Sequence, residues 1–275
     1  MKTKFLLTFL LSSVLSPVFA QQYTGEQIML LNEDSRKGIT ETSDVHITMT
    51  DAQGRKRERL LKMRVDDSDK VERKSYLEFV EPKDVKGTRV LALEKSDPEL
   101  DPDRWLYLPA LRKVRRIAGA DQTQSFVGTD FTYEDISITD GVVGVKHHKY
   151  SILREETIED ASGVDHKCWV IEAIPVTQKQ IEQGLYGKRI IWVEQQHYTA
   201  IQEHYFNKSG VLFKTRVSAD IRELPASGGR TEWRPNFTEM KNLETGHSTL
   251  VRFKQLLDLP IDQKIFSRRF LEIGL

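Results

Sequence analysis

The side chains able to do chemistry in this 275-residue chain are seven histidines, one cysteine, its serines and 41 acidic residues. A metal centre needs several of them converging at ligand distance. His147 and His148 are adjacent, so on a strand they point to opposite faces. His197 and His204 stand seven apart, an odd spacing that separates them in the same way. None sits beside a Cys, Asp or Glu at a spacing diagnostic of a ligand set, so no metal and no cofactor is expected. Ser125 in "QSFVG" lacks the Gly-x-Ser-x-Gly setting of an activated nucleophile. Glycine-rich phosphate loops are missing. Nothing singles out one pair of carboxylates for acid–base work, so they read as solvated strand faces. Cys168, in "KCWVIEA", reads as a buried strand thiol. An enzyme is not expected.

One region is denser in interacting side chains. "DRWLYLPALRKVRRIAGADQTQSFVGTDFTYEDI", Asp103–Ile136, carries Trp105, Tyr107, Phe126, Phe131 and four arginines. Catalytic site, nucleic-acid surface and wall of an apolar container are the three readings to separate. Charge bears on the second. The chain has 41 basic and 41 acidic residues, which leaves no overall electrostatic reason to bind nucleic acid.

The N-terminus opens with "MKTKFLLTFLLSSVLSPVFA". Lys2 and Lys4 precede an apolar run from Phe5 to Leu11, and Val18 and Ala20 stand three and one residues before Gln21. This is the pattern of a secretory signal peptide over residues 1–20, cleaved before Gln21. The apolar run is far shorter than the roughly 20 residues that span a bilayer. No cysteine follows the cut, so no lipid attachment is expected, and residues 21–275 are expected to form one exported, soluble domain. A lone cysteine also rules out an internal disulfide.

The elements that must position any site are mostly strands. "TGEQIMLLNED" begins with Thr24 and has Gln27 three residues on, a capping box for a short helix. "GTDFTYEDI" suggests another, with Asp130 as N-cap and Glu134 and Asp135 near its start. Elsewhere the hydropathy alternates with period two: Val45, Ile47 and Met49 share a face, as do Leu77 and Phe79 opposite Tyr76, Glu78 and Val80. Turns at Asp51–Gly54 and Asn207–Gly210 join such runs into antiparallel meanders. Ten or more strands must close or curl to manage their edges. The fold class expected is mainly β, a large, strongly curved antiparallel sheet with a few short helices.

Several strands are apolar on both faces. In "RIIWVE", Ile190 and Trp192 oppose Ile191 and Val193; in "RWLYLP", Trp105 and Tyr107 oppose Leu106 and Leu108. A sheet solvated on one side needs only one apolar face. The second is covered by the protein's own packing or by a guest, and an apolar concave face is a natural acyl-chain site.

"FVEPKDVKGTRVLALEK", "DRWLYLPALRKVRRI" and "SFVGTDFTYEDI" in succession, with the later "YGKRIIWVEQQHYTAIQEHYFNKSGVLFKT" and the ending "IDQKIFSRRFLE", resemble a family of exported outer-membrane lipoprotein-sorting-like proteins. That family is related to the periplasmic carrier LolA and the outer-membrane receptor LolB. The resemblance implies an incomplete β-barrel with helices plugging its open side, and binding of a lipid or lipid-modified protein without catalysis. It also implies association with an inner-membrane RND-type exporter and transient contact with a membrane surface. On that reading the cavity-lining candidates are Trp105, Tyr107, Phe126, Phe131, Ile190 and Trp192. The helices near Glu26–Leu31 and Asp130–Ile136 are candidate lids. Arg112, Lys113, Arg115 and Arg116 are candidates for a basic rim facing lipid headgroups or an acidic partner, against the plainer reading of a solvated edge. The competing function is a periplasmic adaptor that docks on an exporter and holds no small cargo. A hydrolase on this scaffold would need polar side chains converging inside the cavity.

Overall fold

The computed structural model describes residues 23–35, 37–68, 73–95, 102–139, 145–226 and 229–274. The expected signal peptide lies outside them. Thirteen antiparallel strands form one sheet: β1 (Thr40–Thr50), β2 (Lys56–Asp66), β3 (Lys74–Glu81), β4 (Arg89–Leu93), β5 (Asp103–Leu108), β6 (Lys113–Ile117), β7 (His148–Glu159), β8 (Asp165–Pro175), β9 (Lys188–Glu194), β10 (Ala200–Phe206), β11 (Leu212–Pro225), β12 (Thr231–Asn242) and β13 (Ser248–Leu257). Local chemistry closes the hairpins. Between β1 and β2, Gly54 has φ 78° and donates its N–H to the Asp51 carbonyl. The Asp51 carboxylate meanwhile accepts from the N–H groups of Gln53 and Arg55.

The sheet order is β6-β5-β4-β3-β2-β1-β13-β12-β11-β10-β9-β8-β7. Every neighbour is therefore a sequence neighbour except at the centre, where β1 pairs with β13 (Ile47 opposite Val251). Two meanders run outward from that seam, and the sheet does not close, leaving β6 and β7 as its edges. The chain between those edges must return from one to the other. It carries a 3₁₀ turn at Gly119–Thr123 and helix α2 (Tyr133–Thr139). That return places Phe126, Phe131 and Tyr133 in one cluster with Val45, Ile47, Leu61, Leu77, Phe79 and Val251. We call this side of the sheet the inner face.

Helix α1 (Gly25–Asp34) fills another part of that face. The Thr24 hydroxyl accepts from the Gln27 N–H and the Gln27 side chain accepts from the Thr24 N–H, the capping box expected from the sequence. Ile28 and Met29 pack on Ile171, Ala173, Ile191, Val193 and Ala200. Full burial of a side chain such as Ile28 stabilises by about 1.5–3 kcal/mol. A Cβ on Gly25 would come 3.0 Å from the Tyr150 backbone, which is why the helix can start so close to β7.

The outer face is apolar too. At Tyr76 and Leu91 it is covered by the C-terminal segment, where Ile265, Phe266 and Leu271 are buried around helix α4 (Arg268–Ile273), the next after α3 (Gln178–Gln183). Tyr76 and Phe270 meet edge to face, their ring centroids 5.7 Å apart. Across the sheet, Cys168, Val170, Ile190, Trp192 and Ile201 form a second outer cluster. Burial pushes the Cys168 thiol up to about 12, so it is inert as a nucleophile at neutral pH.

Candidate functional site

Strand parity sets the inner wall. Val45 and Ile47 of β1, Leu61 and Met63 of β2, Leu77 of β3, and Val251 and Phe253 of β13 all point inward and bound a cavity of about 140 Å³. Phe126, Phe131 and Ile136 face them across it. A smaller space of about 20 Å³ shares Leu77, Phe126 and Ile136 and continues toward Val90, Ala92 and Tyr133.

The segment Ser125–Ile136 is a plug tied down by polar bonds from four directions. Thr132 and Asp135 cap α2 reciprocally: the Thr132 N–H donates to the Asp135 carboxylate at 2.7 Å, and the Asp135 N–H donates to the Thr132 hydroxyl at 3.0 Å. The Tyr186 hydroxyl donates to Asp135 at 2.5 Å. Lys214 Nζ donates to the Asp130 carbonyl at 2.8 Å and lies 3.7 Å from the Asp135 carboxylate. The Arg59 guanidinium donates to the Val127 carbonyl, and Asp130 and Thr249 exchange hydrogen bonds at 2.9 and 2.7 Å. Asp130 therefore fastens the plug to β13, and the N-cap is Thr132, two residues later than expected.

Beside the apolar wall lies a buried charge cluster, from which Arg216 lines the cavity. Arg216 Nη2 donates to Glu203 at 2.5 Å and Nη1 to the Ser218 hydroxyl at 2.8 Å; Arg189 is 3.6 Å from the same carboxylate. Burial alone would raise the Glu203 carboxyl, but the Arg216 and Arg189 guanidiniums outweigh it and hold it below the usual range. On α2 the balance is reversed. Burial, then the adjacent Asp135, push Glu134 above the usual carboxylate range, against the opposing hydrogen bond from the Leu185 N–H.

The cavity is also polar along one end. Glu41, Asp67, Arg73, Arg234 and Gln255 line it there, while Val45, Ile47, Leu61 and Met63 make the wall apolar further along. Among the described residues no group of three or more His, Cys, Asp or Glu could hold a metal ion.

Of the residues expected from sequence to line a cavity, Phe126 and Phe131 do so. Trp105, Tyr107, Ile190 and Trp192 lie on the other face. Trp105 and Tyr107 pack with Ile265, Phe266 and Phe270, with Arg268 over the Trp105 ring and Arg89 over the Tyr107 ring. Ile190 and Trp192 belong to the outer cluster, and Trp192 donates to Glu156 at 3.2 Å. The reason is parity: their neighbours Leu106, Ile191 and Val193 took the inner side. Lys113, Arg115 and Arg116 are exposed on β6, and Arg116 pairs with Asp103 at 3.0 Å. Arg112 is not on the strand but in the preceding turn, at φ 49°. None of the four touches the cavity. Hydropathy patterning does not mark Arg234, Arg216, Glu203 or Lys214 as buried. In "FKTRVSAD" Lys214, Arg216 and Ser218 are buried along with Phe213 and Ala219, while Val217 is only half-buried, so burial there does not follow hydropathy.

Fold and cavity define the class: an open antiparallel half-barrel whose largely apolar inner chamber is partly covered by a short plug. A family model described as "uncharacterized protein" and DUF1329-like matches residues 71–273, and the chain belongs to that DUF1329-like family. Among solved structures the chain is similar to a DUF1329 family protein from Desulfovibrio piger, at 24% identity and a TM-score of 0.77, over 90% of this chain and 97% of that one. It is equally similar to a proposed outer membrane lipoprotein-sorting protein domain from Vibrio parahaemolyticus, at 24% identity and TM-score 0.76, over 90% and 98%. A LolA superfamily protein from Nitrosomonas europaea matches at 18% identity and TM-score 0.64, over 90% and 100%. These identities establish a LolA-like fold. No curated protein matches the chain. No helix among the described residues is long and apolar enough to cross a membrane.

Proposed function

We propose that the protein is a non-catalytic periplasmic carrier that takes the hydrocarbon part of a lipid or lipid-modified protein into the inner cavity and moves it toward the outer membrane. The observation that supports this most is the chamber itself. Its wall is mostly apolar, and its cover is held by a few hydrogen bonds and ion pairs that can open without dismantling the sheet. Each methylene moved from water into such a wall contributes about 0.8 kcal/mol. The volume sets a condition. About 140 Å³ is close to the roughly 150 Å³ of a cavity that accepts benzene, so a longer chain enters only if Phe126 and Phe131 swing away with the plug.

Contact with an inner-membrane RND-type exporter and with membrane surfaces belongs to the same proposal. The exposed Lys113, Arg115 and Arg116, with Arg112 in the adjoining turn, supply a basic hairpin that fits an anionic surface.

Native purification followed by solvent extraction and mass spectrometry is the test, with uptake of a fluorescent fatty acid by the delipidated protein as its second arm. Extractable lipid and saturable uptake are expected. Protein that yields no lipid and takes up no probe, while still co-purifying with an exporter, would establish the adaptor reading instead.

A further inference from the structure

The two edges of the open sheet are not alike, and one of them fits a second copy of this chain, whatever the chamber holds. β7 is a 12-residue edge strand, and among the described residues no strand pairs with its other side. Helix α1 does not lie beyond it: Tyr23 and Ile28 pack on Trp169 and Ile171 of β8, which places the helix over the sheet. Such an edge presents a row of backbone donors and acceptors. Its middle is apolar, with Ile152 37% and Leu153 48% exposed. Lys149, Arg154 and Glu155 are exposed beside them.

A bulge between Ile152 and Arg154 reverses the alternation of side chains. Tyr150 packs with the inner cluster, whereas Ile158, an even position too, packs with the outer one. Glu156 is also outer: it accepts from Trp192 and Arg154, and its side chain is still 36% exposed. A twofold axis normal to the sheet carries β7 onto an antiparallel copy of itself and keeps both inner faces on one side. With the two bulges at that axis, faces match when Ile152 stands opposite Leu153 of the second copy. Ser151 then meets Arg154, Tyr150 meets Glu155, and Lys149 meets Glu156. Sliding by two residues, the smallest step that keeps faces matched, sets Lys149 against Arg154 one way and Glu155 against Ile152 the other. The first register alone joins opposite charges, twice by symmetry, and apolar to apolar.

β6, the other edge, repels a second copy. Its antiparallel self-pairings set Arg115 or Arg116 against itself, or Lys113 against Arg115.

We infer that β7 is a homodimer interface, through which two sheets continue into one another with Lys149 of each copy against Glu156 of the other. A bulge ordinarily guards an edge by breaking the ladder. Two bulges facing each other at the axis break it at one place and leave paired strand on either side.

Sedimentation equilibrium tests this, with a concentration-dependent dimer expected for the unaltered protein. Lys149→Glu and Glu156→Lys should each weaken association about 10-fold or more, because like charges then oppose each other at both symmetry-related contacts. Mixed in equal amounts, the two variants should associate again, since every such contact in the mixed dimer joins Glu to Lys. Lys113→Glu on β6 should change nothing. A protein that stays monomeric at every concentration, a dimer untouched by Lys149→Glu, or a mixture that stays apart overturns the inference. Growth beyond the dimer overturns it too, because it would mean β6 joined to β7 head to tail.

Discussion

Arg216 Nη2 lies 2.5 Å from Glu203 Oε1 with both side chains only 5% exposed, and Arg189 approaches the same carboxylate from β9. Glu203 of β10 lies opposite Arg216 of β11, and Arg189 of β9 stands one pleat along, opposite Tyr205, so the three charges tie neighbouring strands together on the inner face. Removing the carboxylate leaves two buried guanidiniums without a counter-charge. Glu203→Gln is therefore expected to cost about 3–5 kcal/mol, read as a lowered midpoint in urea unfolding. Replacing Glu203 by Leu together with Arg216 by Met should cost less than that single change, because the desolvated charges go together.

The plug should loosen through its cap. Thr132→Ala removes the hydroxyl that receives the Asp135 N–H, at about 1 kcal/mol. Asp135→Asn weakens the anchors to Tyr186 and Lys214 as well. Stopped-flow uptake of a fluorescent fatty acid should become faster in both variants. Unchanged uptake rates would show that the plug is not the gate.

Acidity should act on Glu134 and Glu203 with opposite signs. Glu134 titrates above its unfolded value, so its contribution to stability is fully present below the ordinary glutamate range and is lost as pH rises through the raised folded value. Glu134→Gln should therefore be more stable than the unaltered protein at pH 7, with the gap closing toward pH 4. Glu203 is depressed; its contribution is present above the unfolded value and disappears as pH falls through the folded one. Unfolding curves between pH 3 and 8 for both proteins measure the two effects separately.

The two faces of the sheet should answer differently to added volume. Val251→Phe projects into the chamber, where about 140 Å³ can take the ring, so it should lower ligand capacity at little cost in stability. Val170→Phe meets the fully buried outer cluster and should cost about 1–3 kcal/mol with uptake unaffected. Thermal unfolding and probe titration of the pair distinguish a chamber from a close-packed core.

The short signals in the sequence translated directly into structure wherever the cause was local. Thr24 and Gln27 cap α1 as their spacing requires, and Val45 and Ile47 share a buried face because a strand has period two. The turn at Asp51–Gly54 follows from an aspartate carboxylate and a left-handed glycine. The C-terminal helix α4, with Ser267 as its cap, and the outer face it covers were not recognised as such, because six residues are too few for a helical period to show.

The site was legible in part. Phe126 and Phe131, cavity candidates on the family resemblance, line the chamber. Trp105, Tyr107, Ile190 and Trp192, candidates on the same resemblance, lie outside it. Alternation separates two faces of a strand but does not say which is inner when both are apolar. The charged residues that matter most were hidden for the complementary reason. Lys214 and Arg216 look like a solvated face beside Val217, and only Asp130, Asp135 and Glu203, from the plug and the neighbouring strand, make their burial affordable.

The sequence by itself determined the strands, their hairpin order and the capped first helix, since these depend on residues a few positions apart. Tertiary structure alone decided that β1 meets β13, that the Ser125–Ile136 segment crosses the inner face, and that Arg73 and Arg234 share one end of a chamber. Those relationships join residues from tens to more than two hundred positions apart. They follow from how the curved sheet closes its two apolar faces, which no local pattern encodes.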